Sequence, residues 1–152
     1  MGKLVPPSMS RLWTVDPKLQ EIIVEAVKRI PFNCIVSEGR RTKEQAILNY
    51  CHGRTKAELL AVGISLPPLP GPKISWTLHS KHVDGKAVDI YPLRQGKLDD
   101  GTKGYEYFDE LYHAIMAVAA EKKVRVRYGG DWDMDGKLRE KGETDSPHFE
   151  LA

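Results

Sequence analysis

The sequence predicts an α+β fold in which helices flank a small antiparallel sheet. Two observations support this prediction. Long segments carry apolar residues at helical spacing, and four short segments have the apolar or alternating pattern that is typical of strands. The chain has 152 residues, with 41% hydrophobic and 29% charged residues, which is the size and composition of one globular domain. We therefore expect residues 1–152 to form a single domain without a separate appended module.

The helices are predicted from their caps and from the spacing of their apolar residues. The first begins at Asp16 and Pro17, because proline is favoured at the first helical position. Thr42 and Thr55 are suitable caps for two further helices. A fourth helix with one apolar face extends to about Lys122. The apolar residues of that face are Phe108, Leu111, Tyr112, Ile115 and Ala119.

The predicted strands are short, and polar or proline-rich segments separate them. "NCIVS" and "AVDIY" are typical of buried strands, "VRVRY" alternates as a half-buried strand does, and "HFEL" forms the last strand. The segment "ISLPPLPGPKISWTLHS" contains too many prolines for a helix or a central strand, so we expect a loop there. "LRQGKLDDGTKG" is expected to be a polar connector.

Net charge, hydropathy and cysteine content restrict the class of protein. A net charge of +2 argues against nucleic acid as the main partner. No signal-peptide pattern or bilayer-spanning segment is present, so we expect folding in a cytoplasm and no stable association with membranes. Cys34 and Cys51 form no CxxC pattern, and we expect both to be reduced thiols packed as small hydrophobic residues.

Asp89 lies within the apolar segment "AVDIY" and needs a partner, because an aspartate is rarely buried alone. His82 precedes Asp89, and Gly85 between them permits a tight turn that would bring the two side chains together. His148, at the start of the last strand, offers a third ligand. Two histidines and one carboxylate with a free fourth position form the ligand set of a catalytic zinc site.

Two further residues are candidates for catalysis beside this predicted zinc site. Asp145 lies shortly before His148, and Pro147 fixes the backbone between them, so its carboxylate could reach a water at the zinc without binding the metal. Asp145 would then act as general base and pass the proton to a leaving amine. Arg41, in the turn after the first strand, could bind a substrate carboxylate or stabilise an oxyanion.

Four motifs of the chain resemble those of the LAS zinc peptidases, a group that includes D-Ala-D-Ala carboxypeptidases and L-alanyl-D-glutamate endopeptidases. These motifs are "SEGRRTKEQAILNYCHGRT", "SKHVDGKAVD", "RYGGDW" and "DSPHFEL". The resemblance covers residues 37–151 and is strongest to small phage endolysins. It implies zinc on the two histidines and Asp89, with Asp145 as the catalytic carboxylate. It also implies a functional arginine, for which the EGxRT pattern favours Arg41 over its neighbour Arg40.

The activity implied by the resemblance is hydrolysis of the L-Ala–D-Glu bond in peptidoglycan stem peptides. Ser80 is expected either to contact the substrate or only to shape its loop through a hydrogen bond. Two alternative functions remain: a D,D-carboxypeptidase or dipeptidase acting on D-Ala-D-Ala termini, and a non-catalytic metal-binding module of the same fold. The resemblance further implies a monomer that stays in the host cytoplasm until a pore-forming holin opens the membrane.

A second cation site is predicted in the segment "DWDMDGK", which opens like an EF-hand-type calcium loop. Three carboxylates, a turn glycine and a backbone carbonyl would be supplied by Asp131, Asp133, Asp135, Gly136 and Lys137. Position 12 is Gly142, so Glu143 or Glu140 would have to close an altered loop. We expect calcium to order this loop and thereby to position Asp145 and His148. The alternative is a solvated acidic turn.

Overall fold

The computed structural model describes residues 1–152, which form five helices and five strands. The helices are α1 (Ser8–Leu12), α2 (Pro17–Lys28), α3 (Lys43–Cys51), α4 (Lys56–Ala61) and α5 (Glu106–Glu121). The strands are β1 (Cys34–Glu38), β2 (Ala87–Arg94), β3 (Lys97–Leu98), β4 (Val126–Tyr128) and β5 (His148–Leu151). None of the helices combines the length and the apolar character that crossing a bilayer requires.

The strands form one antiparallel sheet with the order β1-β2-β5-β4, and β3 pairs with the end of β2. The last strand, β5, therefore lies between β2 and β4. In this register Asp89 is opposite His148, and Glu150 is opposite Ala87 on one side and Arg127 on the other. The predicted α+β class with a small antiparallel sheet is confirmed.

Helices α2 and α5 contact each other, and their apolar residues share one core cluster with one face of the sheet. Val88, Ile90 and Phe149 point into this core, as do the apolar faces of both helices. Since successive strand residues point to opposite faces, Asp89 and His148 must project from the other side of the sheet. The core thus leaves one sheet face free for polar side chains.

The predicted helix starts are confirmed by their caps. The Asp16 carboxylate accepts the backbone N–H of Lys18 at 2.9 Å, and the Thr42 hydroxyl accepts that of Gln45 at 3.1 Å. Thr55 starts α4 with a capping box, in which its hydroxyl and the Glu58 carboxylate each accept a backbone N–H of the other residue. These caps satisfy donors that a helix start leaves without partners.

Two elements differ from the sequence expectation. Helix α1 was not predicted, because five residues are too few to show helical spacing, and it has no side-chain cap. It is held by burial of Leu12 and by the Ser8 hydroxyl, which accepts the N–H of Val36 at 2.9 Å. The segment expected to be a connector contains β3, which follows β2 through a two-residue turn. Gln95 and Gly96 both have positive φ there, 52° and 76°, as such hairpin turns require.

Both cysteines are free and fully buried, as expected. Burial raises the pKa of the Cys34 thiol to about 12, so this thiol stays protonated and unreactive well above neutral pH. We predict that a thiol reagent at pH 8 modifies Cys34 only after the protein is unfolded in guanidinium, as measured by mass spectrometry. Rapid modification of Cys34 in the native protein would contradict this.

Candidate metal centre and active site

His82, Asp89 and His148 converge on the polar face of the sheet. The Asp89 Oδ1 atom lies 3.2 Å from His82 Nε2 and 3.1 Å from His148 Nδ1. One ligand atom from each residue lies within 4.8 Å of the other two, so the three side chains could hold one metal ion. The structure thus brings together the three residues that the sequence predicted as zinc ligands.

Sheet pairing and one turn produce this convergence. Asp89 on β2 is directly opposite His148 on β5, so the register fixes the distance between these two ligands. His82 lies in the turn before β2. Its Nδ1 atom is 2.9 Å from the Gly39 carbonyl oxygen, and its own carbonyl accepts the N–H of Arg41 at 2.9 Å. These contacts tie the turn to the end of β1.

The hydrogen bonds at the far side of each imidazole leave one ring nitrogen free to bind a metal. His82 donates Nδ1–H to the Gly39 carbonyl oxygen, so its Nε2 atom, which faces Asp89, can give its lone pair to a metal that replaces a proton there. His148 donates Nε2–H to Glu150 Oε1 at 2.9 Å, so its Nδ1 atom, which faces Asp89, can give its lone pair to a metal that replaces the proton there. Metal-binding histidines are usually oriented in this way, so the donor set fits zinc.

Charges in this cluster shift two pKa values in opposite directions. Burial opposes ionisation of Asp89, but hydrogen bonds from His148 and His82 outweigh it and hold the pKa of Asp89 well below its usual range. Burial also lowers the pKa of His148, yet its hydrogen bonds to Asp89 and Glu150 raise that pKa to about 9. When no metal is bound, a proton on His148 therefore offsets the negative charge of Asp89 and Glu150, which a bound cation would otherwise offset.

Asp145 lies at the rim of the cluster, with Oδ2 3.8 Å from His148 Nδ1 and 51% of its side chain exposed. Its partial desolvation and the negative charge of Asp89 raise the pKa of Asp145. The backbone of Asp145 packs against Gly129, where any Cβ would overlap the Asp145 carbonyl oxygen. Asp145 is thus placed beside the three candidate ligands without being one of them.

Arg41 and Ser80 line the same cleft, whose volume is about 550 Å³. Arg41 holds Glu38 through Nε at 2.6 Å and Nη2 at 2.9 Å, and its remaining N–H donors are free for a substrate. Arg40 instead donates to the Val83 carbonyl at 3.2 Å and does not line the cleft. The Ser80 hydroxyl accepts the N–H of His82 at 3.2 Å, so Ser80 shapes the loop as well as the cleft wall.

Sequence reasoning missed three residues of this site. Glu150 accepts a hydrogen bond from His148, although its place two residues later in a strand, and hence on the same face, was a usable signal. Trp76 and Trp132 line the cleft and are 76% and 38% exposed. The Trp132 ring lies 5.3 Å from that of His148. Nothing in the local sequence distinguished these tryptophans from core residues.

The acidic loop after β4 brings carboxylates into two overlapping groups. Asp131, Asp133 and Glu143 have oxygens within 4.8 Å of one another, and Asp133 also groups with Asp135 and Glu140. Asp131 accepts the backbone N–H groups of Asp135 at 3.2 Å and of the following glycine at 3.0 Å. Glu140 and Glu143 were the two candidates for the last ligand of the predicted calcium loop. Of these, Glu143 lies beside Asp131, the first residue of that loop.

Comparison with known proteins agrees with this geometry. The chain matches, over residues 1–152, the family described as phage L-alanyl-D-glutamate peptidase. The L-alanyl-D-glutamate peptidase of Escherichia phage T5 is 28% identical over 148 residues, which cover 95% of this chain and 94% of that protein. The crystal structure of the Serratia marcescens L-Ala D-Glu endopeptidase ChiX superposes with a TM-score of 0.68 at 25% identity, covering 99% of this chain and 90% of that one. Since the family match spans the whole chain and confirms the resemblance of its motifs, this protein belongs to the phage L-alanyl-D-glutamate peptidase family.

Proposed function

We propose that residues 1–152 are a single catalytic domain that hydrolyses the L-Ala–D-Glu bond of peptidoglycan stem peptides with a zinc ion. The convergence of His82, Asp89 and His148 beside Asp145 carries this proposal. The family match and the named activity of the phage T5 relative, which aligns with 95% of this chain, supply the substrate.

The residues around the three ligands have separate roles in hydrolysis. Zinc at this position would lower the pKa of a water molecule and polarise the scissile carbonyl. The exposed carboxylate of Asp145 accepts the proton of the attacking water and delivers it to the leaving amine of D-Glu. The free N–H donors of Arg41 bind a carboxylate or carbonyl oxygen of the peptide, while Glu38 fixes the orientation of the guanidinium.

The bond that is cut can be identified by digesting purified peptidoglycan with the zinc-loaded protein and analysing the products by mass spectrometry. We expect stem peptides with a new N-terminal D-Glu and glycan strands that retain L-Ala. Release of free terminal D-Ala would instead identify a D,D-carboxypeptidase and refute the endopeptidase proposal. Zinc-loaded protein that releases no fragment would identify a non-catalytic module.

We also propose that the acidic loop binds calcium. Glu143 is only 4% exposed, and its Oε1 atom has no hydrogen-bond partner although it is buried. Its other oxygen accepts the N–H of Asp133 at 3.1 Å. A buried carboxylate oxygen beside two further carboxylates is costly unless a cation balances it. Calcium held by oxygens of Asp131, Asp133 and Glu143 would satisfy this group and order the loop before Asp145. The loop pattern adds the Asp135 carboxylate and the Lys137 carbonyl oxygen as further predicted ligands.

Calcium binding can be tested by calorimetric titration of the zinc-loaded protein and of two variants. We predict that Glu143→Gln weakens calcium binding at least about tenfold, because one ligand charge is lost. Glu140→Gln, the matched control, should change the affinity less, because Glu140 does not group with Asp131. Equal calcium affinities of wild type and Glu143→Gln, or no binding by wild type, would refute the proposed site.

We further propose that the protein acts as a monomer, because all residues of the cleft come from one chain. Its substrate would be reached from the host cytoplasm through a membrane opened by a pore-forming partner, which the phage origin of the family supports. The molecular mass of the zinc-loaded protein can be measured by analytical ultracentrifugation. The mass of a dimer would refute the proposal that the protein is a monomer.

A further inference from the structure

Glu150 is a buried carboxylate with no role in the mechanism described so far. It is 7% exposed and lies on β5, two residues after His148 and on the same face of the sheet. Its Oε1 atom accepts Nε2–H of His148 at 2.9 Å. A charged group is rarely buried to this extent unless its neighbours hold it in place.

Two cations hold the other carboxylate oxygen. Glu150 Oε2 lies 3.3 Å from Lys81 Nζ and 3.8 Å from Arg127 Nη1. Lys81 also donates Nζ–H to the Leu151 carbonyl oxygen at 2.5 Å. Because Lys81 directly precedes His82, this ion pair connects the turn that carries one histidine with the strand that carries the other. These contacts fix the position of the carboxylate and offset the cost of burying it.

We propose that Glu150 is a positioning residue that keeps the proton of His148 on Nε2 and thereby presents the Nδ1 lone pair to the zinc. This inference rests on the zinc site of the proposed function. If the neutral ring carried its proton on Nδ1, that atom would have no lone pair for the zinc, and one of the three ligands would be lost. With zinc in the site, the Asp89 carboxylate would pair with the metal, whereas Glu150 Oε1 would still face Nε2. An ionised carboxylate only accepts hydrogen bonds, so Glu150 favours an N–H at Nε2.

The affinity for zinc tests this inference without measuring hydrolysis. Glu150→Met keeps most of the side-chain volume but removes the acceptor, and we expect its zinc affinity to fall about 10- to 100-fold in competition with a chelator. Glu150→Gln retains an acceptor oxygen and should lose less. Glu121→Gln is the matched control, because it removes a surface carboxylate that pairs with Arg29. Equal affinities of wild type and Glu150→Met would overturn the inference.

The tautomer of His148 gives a second measurement, which does not depend on any variant. Nitrogen-15 NMR of the zinc-loaded wild-type protein should show a protonated Nε2 that exchanges slowly with solvent. A proton on Nδ1 would overturn the inference, even if Glu150→Met failed to fold. Wild-type protein with the expected tautomer and tight zinc binding that left peptidoglycan intact would refute the proposed function and leave this inference standing.

Discussion

Asp145→Asn will lower kcat/KM for a soluble muropeptide about 10²- to 10⁴-fold and will leave zinc binding intact. The amide has the same shape as the carboxylate but cannot accept the proton of the attacking water. Zinc should remain because Asp145 is not one of the three converging ligands. The measurement is the initial rate by chromatography of products, together with elemental analysis of bound zinc.

The control for Asp145→Asn is Asp100→Asn, which removes an exposed carboxylate that does not line the cleft. It should retain the wild-type rate. A rate for Asp145→Asn within a few-fold of wild type would show that another group moves the proton. Loss of zinc from Asp145→Asn would show that the carboxylate is a ligand and not the base.

His82→Ala will abolish zinc binding at micromolar metal and lower hydrolysis about 10³-fold or more, since a metal ion supplies several kcal/mol of transition-state stabilisation. Two ligands would remain of a set that needs three. Adding zinc to wild-type protein stripped with a chelator should restore its activity, whereas adding zinc to the variant should not.

The matched control for His82→Ala is His113→Ala, which removes an exposed histidine on α5. It should bind zinc and hydrolyse peptide as wild type does. Because His82 is almost fully buried, circular dichroism must show that the variant remains folded. A folded His82→Ala protein that hydrolyses peptidoglycan at the wild-type rate would disprove the assigned metal site.

The three residues that converge as candidate metal ligands could be predicted from sequence because each lies in a short segment with its own signal. An aspartate inside an apolar strand, a histidine before a glycine turn and a histidine at a strand start are all visible locally. Their convergence depends on the pairing of β2 with β5, which no local pattern shows. The motif resemblance supplied that long-range information.

Other parts of the fold and site could not be predicted, for physical reasons that differ. Helix α1 is too short to have a periodic pattern, and tertiary burial of Leu12 stabilises it. That Glu143 and not Glu140 lies beside Asp131 depends on how the acidic loop folds back, because both are acidic residues at similar distances along the chain. Lys81 and Glu150 meet only when the turn before β2 lies against the last strand.

The central place of β5 in the sheet has a consequence for how activity arises during folding. Residues 148–151 include a candidate metal ligand, the carboxylate that hydrogen-bonds it and the buried ring of Phe149. A chain clipped before this segment would lack the candidate ligand His148 and the core ring of Phe149, and we expect it to be inactive. Hydrolysis by this site therefore requires that β5 pair with both β2 and β4.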